Sequence, residues 1–436
     1  MRSGTNHRRW VARLAILAIT LGIALWSIPE QPEVVKRTGS PQLVAVRELP
    51  QYGEACEPTF MEVPDYSDGP GLMAPGSVEA GAQREEASII DRDPLRTIRD
   101  VDPIYSAVAV NTETDEVVLG DNNLWAIRTF NRLDNTPANA PFTEPKRVIH
   151  GATSQIQFIN GMYIDPKNGD IYTVETDTGD KITVFGREAN GDVAPKRILR
   201  IPHRGFSLAV NEEKEEIYVG VHYPPEVAIF PKNAAGNPEP KRRIQGESTR
   251  LAYVHGMVMD TKNNLLFVAN WGKVSDYRFP GTGRFEDPSI TVYPLDANGD
   301  AAPVRLIQGD KTQLNWPAQM GIDPDTGDLY VANDMGHSVL VFKSTDRGNV
   351  APSRVIKGNR TGLQNPHGLF VDKKNSELWI TNFGNSSAVV YPLNSNGNVA
   401  PIRTIRSAPV GKKSLKFGKV EALAYDQKRD QIWVPN

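Results

Sequence analysis

The sequence predicts an all-β fold, a seven-bladed β-propeller, with six blades as the alternative. A short phrase, Pro-x-Arg-x-Ile or Pro-x-Arg-x-Leu, recurs seven times along the chain. A second pattern also recurs seven times, in which an Asp or Asn lies seven residues before an aromatic residue or a Val. Repeats spaced roughly 45 to 60 residues apart are typical of stacked or radially arranged units, and short alternating strands favour a propeller among these.

The phrase predicts the outermost strand of each blade. A proline at a sheet edge costs little, because one row of backbone groups there has no strand partner, and it blocks edge-to-edge pairing. The seven arginines either form an anion-binding ring or protect the edge and pair with nearby carboxylates, and we favour the second interpretation. The copies begin at Pro94, Pro145, Pro195, Pro240, Pro303, Pro352 and Pro401.

Each repeat predicts four short strands. In the repeat that follows Asn160 these are 161–165, 171–174, 181–185 and 195–199, separated by turn residues. The Asn-Gly-Asp loops between the third and fourth strands are hairpin turns rather than calcium loops, because they lack the later bidentate Glu. The positions that mark strands one and two are Asn111/Val118, Asp165/Tyr172, Asn211/Tyr218, Asp260/Phe267, Asp323/Tyr330, Asp372/Trp379 and Asp426/Trp433.

The two patterns are offset, which predicts how the ring closes. The first phrase has no strand-one copy before it, and the last strand-one copy ends with the chain. We therefore expect 88–90 and 95–98 to supply the outer strands of a blade whose inner strands come from 421–434. Such N-terminal outer strands pairing with C-terminal inner strands leave no open edge.

Residues 1–28 predict a signal-anchor helix. Arg2, Arg8, Arg9 and Arg13 precede an apolar run from 14 to 28. This length falls between a secretory signal and a spanning helix, so a cleaved signal peptide is the alternative, and a core helix or a twin-arginine signal is a weaker one. Since the positive charges stay in the cytoplasm, we expect export, with residues 10–28 in the inner membrane and the rest facing the periplasm or exterior. Cleavage would instead give a secreted protein.

Two further segments complete the predicted organisation. Residues 29–86 are rich in proline and polar residues and predict a disordered tether, and 87–436 form the propeller. The net charge is −3 and the propeller region has no long Lys/Arg run, so no nucleic-acid partner is expected. The sequence has one cysteine, Cys56, and a single cysteine cannot form an internal disulfide or a cysteine-based zinc site.

Three segments resemble the NHL and YVTN repeat families of β-propellers. They are Asp-Leu-Tyr-Val-Ala-Asn at 328–333, Pro-His-Gly-Leu-Phe-Val-Asp at 366–372 and Glu-Leu-Trp-Ile-Thr-Asn at 377–382. The resemblance extends over about 87–436 and implies the propeller fold. It leaves the activity open, because these families include ligand binders, protein binders, lactonase-like hydrolases and lyases.

A site is expected where strand one begins and strand two ends, because every blade places these residues beside the central channel. The candidate catalytic residues are His255 and His367. The candidate ligands of a divalent cation, Ca²⁺ or Mg²⁺, are Glu175, His255, His367 and Glu421. The candidate ligand-binding residues are Asn160, Glu175, His255, Asn270, Trp271, Asn333, Asn382 and Glu421. The alternative is structural, since Asn at a strand end often caps backbone groups and a His can simply pack.

One loop departs from the repeat. Between Asn270 and Ile290 the connection is about 14 residues longer than its counterparts, and its aromatics predict a lid or a partner contact. The loop carries Trp271, Tyr277, Arg278, Phe279 and Phe285.

The leading hypothesis is a tethered propeller that binds a small ligand or a protein at the channel mouth. The competing hypothesis is a metal-assisted lyase or lactonase with His255 or His367 as base.

Overall fold

The computed structural model describes residues 91–92, 95–100, 105–405 without 177, 277 and 280, and 422–435 without 427. Within them the chain is a β-propeller of six four-stranded blades. The predicted signal-anchor (1–28), the tether (29–86), residues 88–90 and Glu421 lie outside the described residues. In the part that is described, no helix has the length and apolar character needed to span a membrane.

The described residues form twenty-nine strands and two 3-10 helices (Glu247–Thr249 and Asp310–Thr312). The strands are β1 (Asp91–Arg92), β2 (Tyr105–Asn111), β3 (Glu116–Asp121), β4 (Ala126–Asn131), β5 (Arg147–Ile149), β6 (Ile159–Ile164), β7 (Ile171–Glu175), β8 (Lys181–Phe185), β9 (Arg197–Arg200), β10 (Gly205–Asn211), β11 (Glu216–Val221), β12 (Glu226–Pro231), β13 (Arg242–Ile244), β14 (Val254–Asp260), β15 (Leu265–Asn270), β16 (Lys273–Val274), β17 (Arg284–Phe285), β18 (Ser289–Pro294), β19 (Arg305–Gln308), β20 (Pro317–Asp323), β21 (Asp328–Asn333), β22 (Ser338–Lys343), β23 (Arg354–Ile356), β24 (Pro366–Asp372), β25 (Glu377–Asn382), β26 (Ser387–Pro392), β27 (Arg403–Ile405), β28 (Ala424–Asp426) and β29 (Gln431–Trp433).

The predicted order of four antiparallel strands per blade is confirmed. The six blades are β2–β5, β6–β9, β10–β13, β14-β15-β18-β19, β20–β23 and β24–β27. The core lies between neighbouring blades, as where Tyr218 and Val227 of the third blade pack with Leu266 and Val268 of the fourth.

Each outermost strand begins at the arginine of the repeated phrase, as in β5, β9 and β13. In several blades this arginine pairs with the carboxylate that opens strand two of the same blade, as predicted. Arg242 Nη2 lies 2.7 Å from Glu216 Oε2, and these hydrogen bonds, with one from Lys241, lower the pKa of Glu216 to about 2. The other such pairs are Arg147–Glu116, Arg354–Asp328 and Arg403–Glu377.

The sequence predicts that the backbone edge of each outer strand faces solvent, and the proline is explained by that exposed edge. This prediction is wrong for the first five blades, because another segment covers the edge. A turn glycine of the next blade lies against each of the first five, and Asn precedes it in three of them, at Gly191, Gly299 and Gly397. Gly191 donates its N–H to Val148 O at 2.6 Å, and Asn190 Oδ1 accepts from Val148 N at 2.9 Å. We call this contact the inter-blade latch. Its parallel bridges are Ile149–Gly191, Leu199–Gly236, Ile244–Gly299, Ile307–Gly348 and Ile356–Gly397.

The predicted count of seven blades is not confirmed, whereas the six-bladed alternative fits. The C-terminal strands β28 and β29 form a two-stranded sheet among the described residues. One side of this sheet packs against the first blade, where Trp433 meets a cluster that includes Val117 and Phe130. On its other side Ile432 packs near Ala388 of the sixth blade.

The predicted ring closure differs from the structure in its strand pairing. The N-terminal strand β1 pairs in parallel with β27, the outer strand of the sixth blade, rather than with the C-terminal strands. Residues 95–98 are not assigned to a strand. Arg96 nevertheless donates to Gln431 Oε1 at 2.7 Å, so the first copy of the phrase does lie beside the C-terminal sheet.

Two glycines of one latch test its contribution to stability. Gly246 has φ 133° and ψ 172°, a region open essentially to glycine, and a Cβ there would overlap the carboxyl group of Asp300. Gly299 has φ 70° but open space around a Cβ. We expect Gly246→Ala to lower the free energy of unfolding by about 2–4 kcal/mol, and Gly299→Ala by about 1 kcal/mol. Urea unfolding measures both, and equal losses would contradict the latch.

Candidate functional site

The start of strand one and the end of strand two meet on one face, as predicted. Register pairs join Ile159 to Glu175, Val254 to Asn270 and Pro317 to Asn333. We call this the mouth face. The loops that join strand two to strand three belong to the same face.

His255 and His367 lie at irregular starts of strand one. The register shifts between Val254 and Met257 in β14, and between Pro366 and Leu369 in β24. Such bulges are common beside functional sites, because they redirect side chains. The same shift occurs at the start of strand one in the other four blades, so it belongs to the repeat and is not particular to the His-Gly dipeptides.

Three of the four candidate asparagines, Asn270, Asn333 and Asn382, are buried and cap loop backbone. Asn270 Oδ1 accepts from Ala252 N at 3.0 Å, and its Nδ2 donates to Thr291 Oγ1 at 3.0 Å. Asn333 and Asn382 make the same contact with the loop before strand one, to Asn315 N and Gln364 N. This geometry favours the structural interpretation, and a ligand-binding role for these amides stays a prediction.

Glu175 occupies the equivalent position in the second blade. Its Oε2 accepts from Gln157 N at 2.7 Å and lies 3.4 Å from Lys181 Nζ. Burial raises the pKa of this carboxyl, although Lys181 opposes the shift. Glu175 therefore takes the capping role that Asn has in other blades. Asn160 likewise donates to a neighbouring backbone oxygen, Phe206 O, at 2.9 Å.

The candidate metal ligands are not gathered into one site. Among the residues that the structure describes, no three His, Cys, Asp or Glu side chains are placed to hold a metal ion. Glu175 is committed to Lys181, while His255 and His367 are neighbours with ring centroids 5.1 Å apart. Glu421 lies outside the described residues, so its role stays a prediction.

His255 is packed among aromatic rings. It is 1% exposed, and its ring lies 4.2 Å from that of Trp271, nearly parallel to it at 11°. Burial lowers its pKa well below the usual range, helped by His367 and His222, so the imidazole is neutral. Its Nδ1 is buried without a hydrogen-bond partner in the described structure, as is Nε2 of His222. Buried polar atoms of this kind are rare and call for a partner such as a water or a ligand.

Five rings in successive contact run beside His255 and form what we call the aromatic column. Trp316 stacks on Trp271 at 4.5 Å, Trp271 on Tyr253 at 5.2 Å, and Tyr253 on His222 at 3.8 Å. Phe206 continues the column at 4.3 Å from His222. Of these rings, the candidate site residues predicted from the sequence included Trp271 alone. Tyr253 and Trp316 lie one residue before strand one, and His222 lies one residue beyond strand two. The column joins three blades across the mouth face.

Two aromatics at the position directly before strand one sit in a backbone conformation that normally favours Gly or Asn. Tyr253 has φ 56° and Trp316 has φ 53°, each directly before strand one. Asn365 occupies the same position in the sixth blade with φ 48°. A left-handed conformation costs an L-residue roughly 1–2 kcal/mol. Strain of this kind clusters at functional sites, where the surrounding frame maintains it.

His367 is oriented by an acidic partner that the sequence did not reveal. His367 Nδ1 lies 3.1 Å from Asp334 Oδ2, and Asn365 Nδ2 donates to Asp334 Oδ1 at 2.8 Å. Asp334 directly follows the predicted position Asn333, which was the one available signal. When Nδ1 carries the proton towards Asp334, Nε2 is the basic nitrogen, so the pair has the geometry of an acid–base dyad.

The long loop forms a hairpin on the mouth face. Strands β16 and β17 pair Lys273 with Phe285, and Trp271 anchors the base by donating Nε1 to Pro317 O at 2.8 Å. Phe279 and Phe285 are 60% and 83% exposed. Tyr277 lies outside the described residues. The position of the loop agrees with a lid or a partner contact, and that role stays a prediction.

Comparison with known proteins gives no family assignment: no model of a known family matches the chain, and no curated protein matches it.

One buried carboxyl on this face predicts a pH dependence. Glu226, at the start of β12, is 1% exposed, and Arg243 Nε lies 3.5 Å from its Oε2. Burial raises its pKa to about 7, although Arg243 and Arg278 oppose the shift. The carboxyl therefore favours folding below about pH 4.3, its unfolded pKa, and this contribution is lost as the pH rises to about 7.

We expect Glu226→Gln to be more stable than the parent above pH 7, by up to about 3 kcal/mol, and equal to it near pH 4. Glu213→Gln is the control, because that side chain is exposed in the turn between β10 and β11. Denaturant unfolding between pH 4 and pH 8 measures the difference. A Gln variant that is less stable at pH 8 would overturn this account.

Proposed function

We propose that this propeller is a binding platform that holds a ligand or a protein partner on its mouth face. The observation that carries the proposal is where large apolar side chains are exposed. Seven of the eleven that the described structure exposes lie on this face. They are Leu124, Trp125, Phe158, Phe279, Phe285, Trp316 and Met335. A concentration of exposed apolar side chains on one face is typical of an interaction surface.

The strained aromatics support the same proposal. Trp316 is 44% exposed although it occupies a left-handed backbone position. An exposed ring there contributes little to the core, so stability alone does not account for it. Aromatic residues at the centre of an interface are frequent hot spots of binding energy. The hairpin extends this surface with Phe279 and Phe285.

Export and tethering belong to the proposal and rest on the sequence. The arginines at 2, 8, 9 and 13 and the apolar run at 14–28 support a signal-anchor, and the proline-rich 29–86 supports a tether. Similarity to NHL and YVTN repeats belongs to it too and rests on the segments 328–333, 366–372 and 377–382.

A second function is favoured by one observation, the Asp334–His367 pair. An imidazole held by a carboxylate can act as a general base, which suits a lyase or a lactonase-type hydrolase. We propose this base role for His367 rather than for His255, because the side chain of His367 is 14% exposed whereas His255 is buried.

The platform proposal is tested by paired variants. Phe279→Ser with Phe285→Ser should weaken partner capture at least about 10-fold, because each hot-spot side chain contributes about 1 kcal/mol or more. Leu133→Ser is the control, since Leu133 is 59% exposed in the turn between β4 and β5 on the opposite face. Crosslinking in cells followed by quantitative recovery is the measurement. Equal recovery from the double variant and the control would refute the proposal.

We further propose that residues 91–99 complete a seventh blade with the C-terminal sheet. Thr97 O accepts from Thr136 N at 2.8 Å, and Thr97 N donates to Asn135 Oδ1 at 2.9 Å. These two contacts repeat the latch that Val148 makes with Asn190 and Gly191. The pairing of β1 with β27 likewise stands where a latch turn lies in the other blades.

Removal of 87–99 should therefore lower the free energy of unfolding by about 7 kcal/mol, at about 1 kcal/mol for each of the seven hydrogen bonds lost at Arg96, Thr97 and Arg99. Denaturant unfolding of the deletion variant measures this. A loss below about 1 kcal/mol would mean that these residues do not close the ring.

A further inference from the structure

A cleft of about 660 Å³ opens on the mouth face at the first and second blades. Its walls come from the β3–β4 turn, the segment between β5 and β6, the β7–β8 turn and the end of β9. This volume lies within the usual range for small-molecule sites, about 300–1,000 Å³. The hairpin and the aromatic column belong to other blades, so the cleft is a separate feature of the same face.

The charged groups that line the cleft are cationic. Lys181 and Arg200 contribute to its walls, and no carboxylate does so among the described lining residues. Lys181 Nζ is held by Gln157 Oε1 at 3.0 Å and by the buried Glu175 at 3.4 Å. Arg200 makes one long hydrogen bond, from Nη1 to Gly179 O at 3.4 Å. It has no ion pair within the described chain, so its guanidinium is available to an anion.

An apolar wall completes the cleft. Trp125 and Leu124 line it and are 53% and 52% exposed. Trp125 has φ 50°, so another exposed tryptophan is kept in a strained backbone position. An indole face beside a guanidinium suits a ligand with a flat apolar portion and an anionic group, because the ring stacks and the anion pairs.

We propose that this cleft binds a small organic anion with an aromatic or other flat apolar portion. Arg200 pairs with the anionic group, Trp125 stacks on the flat portion, and Gln157 and Lys181 form the polar floor. The site is independent of the proposed hairpin surface, so either can fail without the other.

The test uses 1-naphthylacetate as the probe, added to the full chain and followed by ligand-observed NMR or calorimetry. We expect saturable binding, weakened at least about 5-fold by Arg200→Gln and by Trp125→Gly. 1-Naphthylmethylamine, with the same rings and the opposite charge, should bind at least about 10-fold more weakly. Arg360→Gln and Leu133→Gly are the controls, because they change an exposed arginine and an exposed apolar residue that do not line the cleft, and they should leave the affinity unchanged.

Three results would overturn the proposal: no saturable binding of the carboxylate, equal affinity for the amine, or equal effects of the cleft variants and their controls. Circular dichroism of each variant shows whether it is folded. If Trp125→Gly does not fold, Arg200→Gln decides the outcome, because Arg200 is exposed and its loss leaves the core intact.

Discussion

The whole structure depends on the contact between a turn glycine of one blade and the outer strand of the blade before it. In the first latch Gly191 N–H and Asn190 Oδ1 satisfy both backbone groups of Val148. The residue after the turn glycine then binds the loop that leaves the outer strand, as where Asp192 Oδ1 accepts from Thr153 N at 2.7 Å. Because the hydrogen bond from the turn glycine repeats in all five latches, neighbouring blades are held in register by the backbone as well as by apolar packing. An outer edge that could pair with other chains is covered in the same way.

A ring fixed at its rim can maintain strain and buried polar atoms near its axis. The left-handed Tyr253 and Trp316 and the unpartnered nitrogens of His222 and His255 all lie on the mouth face. Each would destabilise a loosely held loop. Here the loops are short, and asparagines such as Asn270 accept hydrogen bonds from the loop backbone. The rigid frame thus presents aromatic side chains on one face, which is the usual way in which loops on a scaffold carry function.

The strands could be predicted from the sequence because the patterns that indicate them are local. Alternating residues, Asn-Gly turns and the repeated Pro-x-Arg phrase depend on neighbours within a few positions, and the structure has four strands in each of six blades accordingly. The blade count depends on whether the first phrase pairs with the far end of the chain, and no local pattern decides that. The latch was missed for the same reason, since Gly191 and Val148 belong to different blades.

The position of the candidate site was predicted from the sequence, but the burial and the hydrogen-bond partners of its residues were not. Strand register brings His255, Asn270 and Trp271 to one face, so their convergence could be predicted by counting residue positions along the repeats. The burial of His255 depends on rings from other blades, and the orientation of His367 depends on Asp334, which no motif marked. Likewise, whether an asparagine binds a ligand or caps a loop depends on the loop backbone that it reaches.

The central claim, that the mouth face is the binding face, is tested most directly by a photo-crosslinking scan of the full chain in cells. A photoreactive phenylalanine analogue would replace Phe158, Phe285 or Trp316 on the mouth face, and Leu133, Val304 or Ile402 elsewhere, all of which are exposed. The account predicts discrete adducts from the first three positions and none from the last three. Adducts from the last three positions alone, or equally from both sets, would contradict it.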